Sequence, residues 1–279
     1  MKLKLSILAG ALALAAAGQA NATVTASDLI LSVWDSAAAT SYPLDTGIAM
    51  TTFTAGVTGT AATLAAASPA VVPGPIAAST TLASYLSGIS SADYAAGDVS
   101  WNVVATNGVA TRKFNGAQLL TTSNDSNIVG GVSGTILSSS AKTSVLNYAA
   151  SAATSDTVHT GGTSTDPAYA GSNIFGSNFG TNTNFSSTAT LTGSGTSSLG
   201  FFYLTPASTS TTAAADVAQF GNAAGVDSFN LSSTGVLSYS TAVAAVPEPS
   251  EWLLMLSGFG LVGFIAARRK IQGGMTTFA

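Results

Sequence analysis

The chain has 279 residues, of which 46% are hydrophobic and only 7% charged, with one histidine and no cysteine. This balance excludes a charge-extended disordered protein, and the missing cysteine excludes disulfides, thiolate metal sites and thiol catalysis. Ser and Thr make up roughly a quarter of the residues, an uncharged polar composition that points outside the cytoplasm.

The formal net charge of −4 hides where the charges lie. Five of the eight basic residues, Lys2, Lys4, Arg268, Arg269 and Lys270, sit near the two ends. Between Thr23 and Val246 the three cations Arg112, Lys113 and Lys142 face ten aspartates, a net of −7. A phosphate-binding surface needs clustered Lys and Arg, so nucleic acid is not an expected partner.

At the N-terminus Lys2 and Lys4 precede an apolar run from Leu5 to Ala17, and Ala20-Asn21-Ala22 supplies the small residues that a signal peptidase accepts. Residues 1–22 therefore read as a secretory signal peptide cleaved after Ala22, with Ala20 and Ala22 at the cleavage site.

Residues 23–245 read as one β-rich secreted domain. The run 28–35 is short, apolar and bounded by polar residues, as a buried strand is, and a turn with Pro43 follows. Further strands are expected over 47–54, 98–105 and 197–204. The segments 228–232 and 236–240 alternate apolar with polar around Gly235 and predict a β-hairpin. Helices are expected over 80–87 and 138–152, the second placing Val145, Leu146, Tyr148 and Ala149 near one face. The stretches 61–75 and 155–180 read as loops, and no repeat of fixed period is present. Strands with long polar connections and one or two short helices predict a single antiparallel β-sandwich or jelly-roll-like domain.

Residues 246–279 have three parts. Pro247-Glu248-Pro249 should stay extended, because two prolines fix φ and remove two amide donors. An apolar helix over 252–267 follows, with Trp252 at one membrane interface, and Arg268, Arg269 and Lys270 close it. Such a helix would be a transmembrane segment that holds the chain in the inner membrane, with its basic end in the cytoplasm.

This order of parts resembles the PEP-CTERM sorting signal of Gram-negative bacteria. The resemblance implies recognition near Pro247, Glu248 and Pro249 by exosortase, a membrane-embedded, cysteine-protease-like enzyme, and then passage to the cell surface or the extracellular polysaccharide matrix. Such signals usually stop soon after the basic cluster, whereas here residues 271–279 follow it. The segment Leu31–Asp35, with Ser41-Tyr42 and Asp45-Thr46-Gly47, is similar to the mature start of some proteins of this class. The partners implied are signal peptidase and exosortase during export, the inner membrane transiently, and exopolysaccharide.

Chemistry is sparse along the chain. His159 has no second imidazole or thiol nearby and reads as a surface-loop residue. Gly-x-Ser-x-Gly, P-loop and dinucleotide motifs are absent, and Gly193-Ser194-Gly195 reads as a strand-to-strand turn. Asn-x-Ser/Thr tripeptides at Asn124, Asn184 and Asn230 read as chance in a chain so rich in Ser and Thr. Asp93 and Asp98 could approach across a turn, with Tyr94 and Trp101 as sugar-stacking aromatics, but an Asx-turn at the start of a strand explains the aspartates more simply. The expectation is a non-catalytic surface or matrix protein associated with biofilm exopolysaccharide, with no cofactor and no metal. The alternatives are a carbohydrate-binding or carbohydrate-active module using Asp93, Tyr94, Asp98 and Trp101, and a protein retained in the inner membrane by an uncleaved C-terminal anchor.

Overall fold

The computed structural model describes residues 27–60, 63–69, 71, 73–109, 116–124, 132–135, 137–138, 142–152, 157–161, 169–170, 189–210, 212–243 and 249–273. The expected signal peptide, with Ala20 and Ala22, lies outside them. The chain divides into two units, Met1–Ala242 and Val243–Ala279.

In the first unit, β1 (Asp28–Asp35) coincides with the apolar run that predicts it and pairs antiparallel with β2 (Thr40–Ala49). Asp35 Oδ1 accepts from the Ala37 and Ala38 amides at 3.0 and 3.1 Å, and so closes the turn between the two strands. Pro43, expected in a turn, lies inside β2. Among the described residues only Thr40 and Ser41 of β2 meet a further strand, β8 (His159–Thr160), and a missing amide donor is tolerated this close to a sheet edge. The expected strand over 47–54 is also corrected, because β2 ends at Ala49 and the short helix α1 (Thr51–Thr54) follows. A short run of mixed apolar and threonine residues fits strand or helix. Packing decides it here: Phe53 is fully buried against Phe201, Phe220, Phe229 and Tyr239, with ring centroids 5.0 to 6.3 Å apart.

The stretch expected as a loop over 61–75 contains β4 (Ala65–Ala66), which pairs with β3 (Val57–Thr58), and leads into the edge strand β5 (Gly74–Ala78). α2 (Thr80–Gly88) starts where Ser79 Oγ accepts from the Leu82 amide at 3.2 Å. α3 (Ser91–Ala96) is capped in the same way by Ser90 and leads into β6 (Val99–Thr106). Then come β7 (Leu119–Ser123), α4 (Lys142–Ala152), β8, β9 (Ala189–Thr190), β10 (Thr196–Pro206) and β11 (Ala215–Gln219). Two hairpins end the unit, β12 (Gly221–Asn222) with β13 (Gly225–Val226), and β14 (Ser228–Ser232) with β15 (Val236–Ser240).

The unit is mainly β, as its sequence pattern predicts, but its strands are not divided between the two sheets of a sandwich or jelly roll. One connected, curled sheet of eleven strands runs β5-β15-β14-β10-β7-β6-β1-β2-β8, with β11 added to β10 and β9 to β6. The long strand β10 makes the branch: along one edge it pairs β14 through Thr196–Gly200 and β11 through Phe202–Pro206. Both faces are covered. Leu31, Val33, Trp101, Val103, Phe201 and Tyr203 enter the larger core, to which α2 adds Leu82, Tyr85 and Leu86. Ile30, Val104, Phe202 and Leu204 point into a second core closed by Val145, Tyr148 and Ala149 of α4. Burial on both faces explains why these central strands read as apolar runs while the β14–β15 hairpin alternates.

Candidate sorting site and the end of the folded domain

The four residues considered for sugar contact do not form an open platform. Trp101 is 0% exposed, and its Nε1 donates to Ser197 Oγ at 3.0 Å, so no sugar ring reaches its face. Tyr94 is half-buried over Gly193, with its hydroxyl donating to the Leu86 carbonyl at 2.9 Å. Burial first, and then the Asp35 charge, push its phenol up. Asp93 lies in the first turn of α3, where a carboxylate suits the helix dipole, rather than in a turn that opens a strand. Asp98 accepts from Ser36 Oγ at 3.2 Å, while its amide donates to the Asp93 carbonyl at 3.0 Å. These contacts are structural. His159 lies in the two-residue edge strand β8 opposite Ser41, not in a loop. Gly193-Ser194-Gly195 forms the connection between β9 and β10, as its sequence suggests.

The polar cluster that matters for the chain's end lies elsewhere, around Asp227. This carboxylate is 0% exposed. It accepts from Tyr239 Oη through Oδ2, and through Oδ1 from Ser68 Oγ at 3.1 Å and the Ala242 amide at 3.2 Å. Asn222 completes the cluster by donating from Nδ2 to the Ala242 carbonyl at 2.7 Å and to Ser68 Oγ at 3.2 Å. Both peptide groups of Ala242 are thus held by side chains, one of them a buried carboxylate whose bonds offset the cost of its burial. Burial, and then the hydrogen bond to Asp227, push the Tyr239 phenol up. The next residue, Val243, is 81% exposed. Sequence reasoning missed this clasp; the available signal was a single acid opening an otherwise alternating strand, next to a Gly-Asn-Ala-Ala-Gly turn.

In the second unit α5 runs from Pro249 to Gly273. Pro247 and Glu248 lie outside the described residues. Helix therefore begins on the last residue of the Pro-Glu-Pro segment rather than after it. Proline at a first helical position lacks only an amide that would have no partner there. The helix continues through Arg268, Arg269 and Lys270, six residues past the expected end at 267. Leu253, Leu254, Leu256, Phe259, Leu261 and Phe264 are all more than 60% exposed among the described residues, an apolar helix surface. The expected membrane-spanning segment is not found: among the described residues no helix is long and apolar enough to cross a membrane. The exposed apolar residues run from Leu253 to Ile265, about 20 Å at 1.5 Å per residue, against roughly 30 Å for a bilayer core.

A β domain is followed by an apolar helix with a basic end. Residues 245–270 match the PEP-CTERM protein-sorting motif, which supports a PEP-CTERM protein. The motif implies export and delivery to the cell surface or beyond it, with exosortase as the processing partner. No match was found among curated proteins or solved structures.

Proposed function

We propose that this is a non-catalytic protein of the cell surface or extracellular matrix, associated with the exopolysaccharide of a biofilm. Signal peptidase removes residues 1–22 during export. The apolar surface of α5 then holds the chain at the inner membrane until exosortase cuts near Pro247, Glu248 and Pro249, and Trp252 and the cations Arg268, Arg269 and Lys270 mark the two ends of the membrane-held segment. The observation that carries this reading is the sorting motif at 245–270, which begins three residues after Ala242, the end of the first unit. The sparsely charged, net acidic, Ser- and Thr-rich composition of the domain supports contact with polysaccharide rather than with nucleic acid.

The test is cell fractionation with a tag in the exposed segment near Ser208. The reading predicts tagged protein at the cell surface and in the matrix, shorter than the translated chain at both ends. A full-length species confined to the cytoplasm would end it. Retention of an intact 252–267 segment in the inner membrane would instead favour a permanent anchor.

A further inference from the structure

We infer that Asn222 and Asp227 are positioning residues of the sorting reaction, fixing Ala242 and with it the point from which the segment to be cut is offered to the peptidase. The inference rests on the reading that exosortase cuts near Pro247–Pro249. Asp227 is buried and spans three elements, taking a hydrogen bond from Ser68 before β5, from Tyr239 on β15, and from the Ala242 amide after it. Asn222, in the β12–β13 hairpin, takes the carbonyl of the same residue while its Oδ1 accepts from the Ala224 amide at 2.8 Å.

Gly225 completes the seat. It has φ +151°, and a Cβ built on it would lie 3.3 Å from the Ala242 Cβ, so the absent side chain leaves room for Ala242. Four residues, Val243 to Val246, separate this fixed point from Pro247. Five extended steps of about 3.6 Å reach no further than about 18 Å, so the peptidase must meet the motif close to the folded domain. A frayed β15 end would lengthen the tether and release its origin. In the cleavage itself water adds across one backbone amide, leaving a new carboxylate on the mature chain and a free amine on the released helix.

The test reads the mature C-terminus by mass in exosortase-containing cells that express the full chain, wild type and Asn222→Asp. This substitution keeps the acceptor used by Ala224 and removes the donor to Ala242, so the turn survives while the clasp opens. The wild type is expected to give one C-terminal mass. Asn222→Asp is expected to keep the near-ultraviolet circular dichroism of the wild type, while its processed fraction falls about ten-fold and its C-termini spread over several positions. A single terminus at the wild-type position and yield would overturn the inference.

A second arm needs no exosortase. Proteinase K applied to the purified full chain should stop at or after Ala242 in the wild type and continue into β15 in Asn222→Asp. Equal trimming of both into β15 would overturn the clasp itself. Failure of the wild type to be processed in cells, with the second arm as expected, would remove the exosortase reading and the positioning role with it, leaving only the clasp.

Discussion

Trp101 shows why a residue type alone does not identify a sugar site. Its indole lies wholly inside the larger core and spends its one donor on Ser197. Trp101→Ala should therefore cost about 3–5 kcal/mol, the range for emptying a large aromatic site, as measured by urea denaturation. A loss below about 1 kcal/mol would mean that the ring is not core. Two other buried aromatics contribute to the behaviour in alkali, together with Tyr239, whose phenol is also pushed up. Burial pushes the Tyr85 and Tyr203 phenols up to about 12. An unfolded tyrosine titrates near 10, so the fold favours the neutral phenols; their contribution is complete below about pH 10 and is lost as the pH rises toward 12. Thermal unfolding followed between pH 8 and 12 should show a melting temperature that is flat at first and then falls across that window. Replacing both residues by Phe should make the fall shallower, with the Tyr239 phenol supplying part of what remains.

Hairpins and caps carry the account at the next scale. In the β14–β15 hairpin Gly235 has φ +77°, and a Cβ there would sit 3.1 Å from the Ala83 amide nitrogen of α2. Gly235→Ala combines left-handed strain with a backbone clash and should lower stability by about 1–3 kcal/mol, again read by denaturant unfolding. A neutral effect would mean that the hairpin does not pack on α2 as described. This hairpin and β1 were legible in the sequence because each obeys one local rule, alternation around a glycine turn in the first and an apolar run between polar residues in the second. α1 was not legible. Its four residues, three threonines around Phe53, favour strand by local propensity and continue the preceding strand without a turn residue, and the Phe53 contacts with β10, β14 and β15, more than 140 positions away, settle its conformation. Pro43 misled for a similar reason, since a proline marks a turn locally, and its place on the part of β2 beyond the short pairing with β8 shows only once the sheet order is known.

For the molecule as a whole, the sorting motif could be read directly because its parts are contiguous: stiff imino acids, an apolar stretch and cations in a fixed order. The clasp could not, because Ser68, Asn222, Asp227 and Ala242 meet only after the curled sheet has formed. The branch at β10 likewise depends on pairings between strands remote in sequence, and strand pattern alone does not separate one continuous sheet from a sandwich. The first unit carries its own two cores and holds its last residue, Ala242, by side chains of its own, so its fold should outlast the loss of residues beyond Val246. The melting temperature of the surface-harvested protein should match that of the full chain, and a large drop after processing would show that α5 supports the fold.

The most direct test is the mass of the mature protein from otherwise identical cells with and without exosortase. With the enzyme, the chain should end near Pro247–Pro249 and lack α5; without it, α5 should remain attached. The same trimmed end in both strains would contradict the assignment.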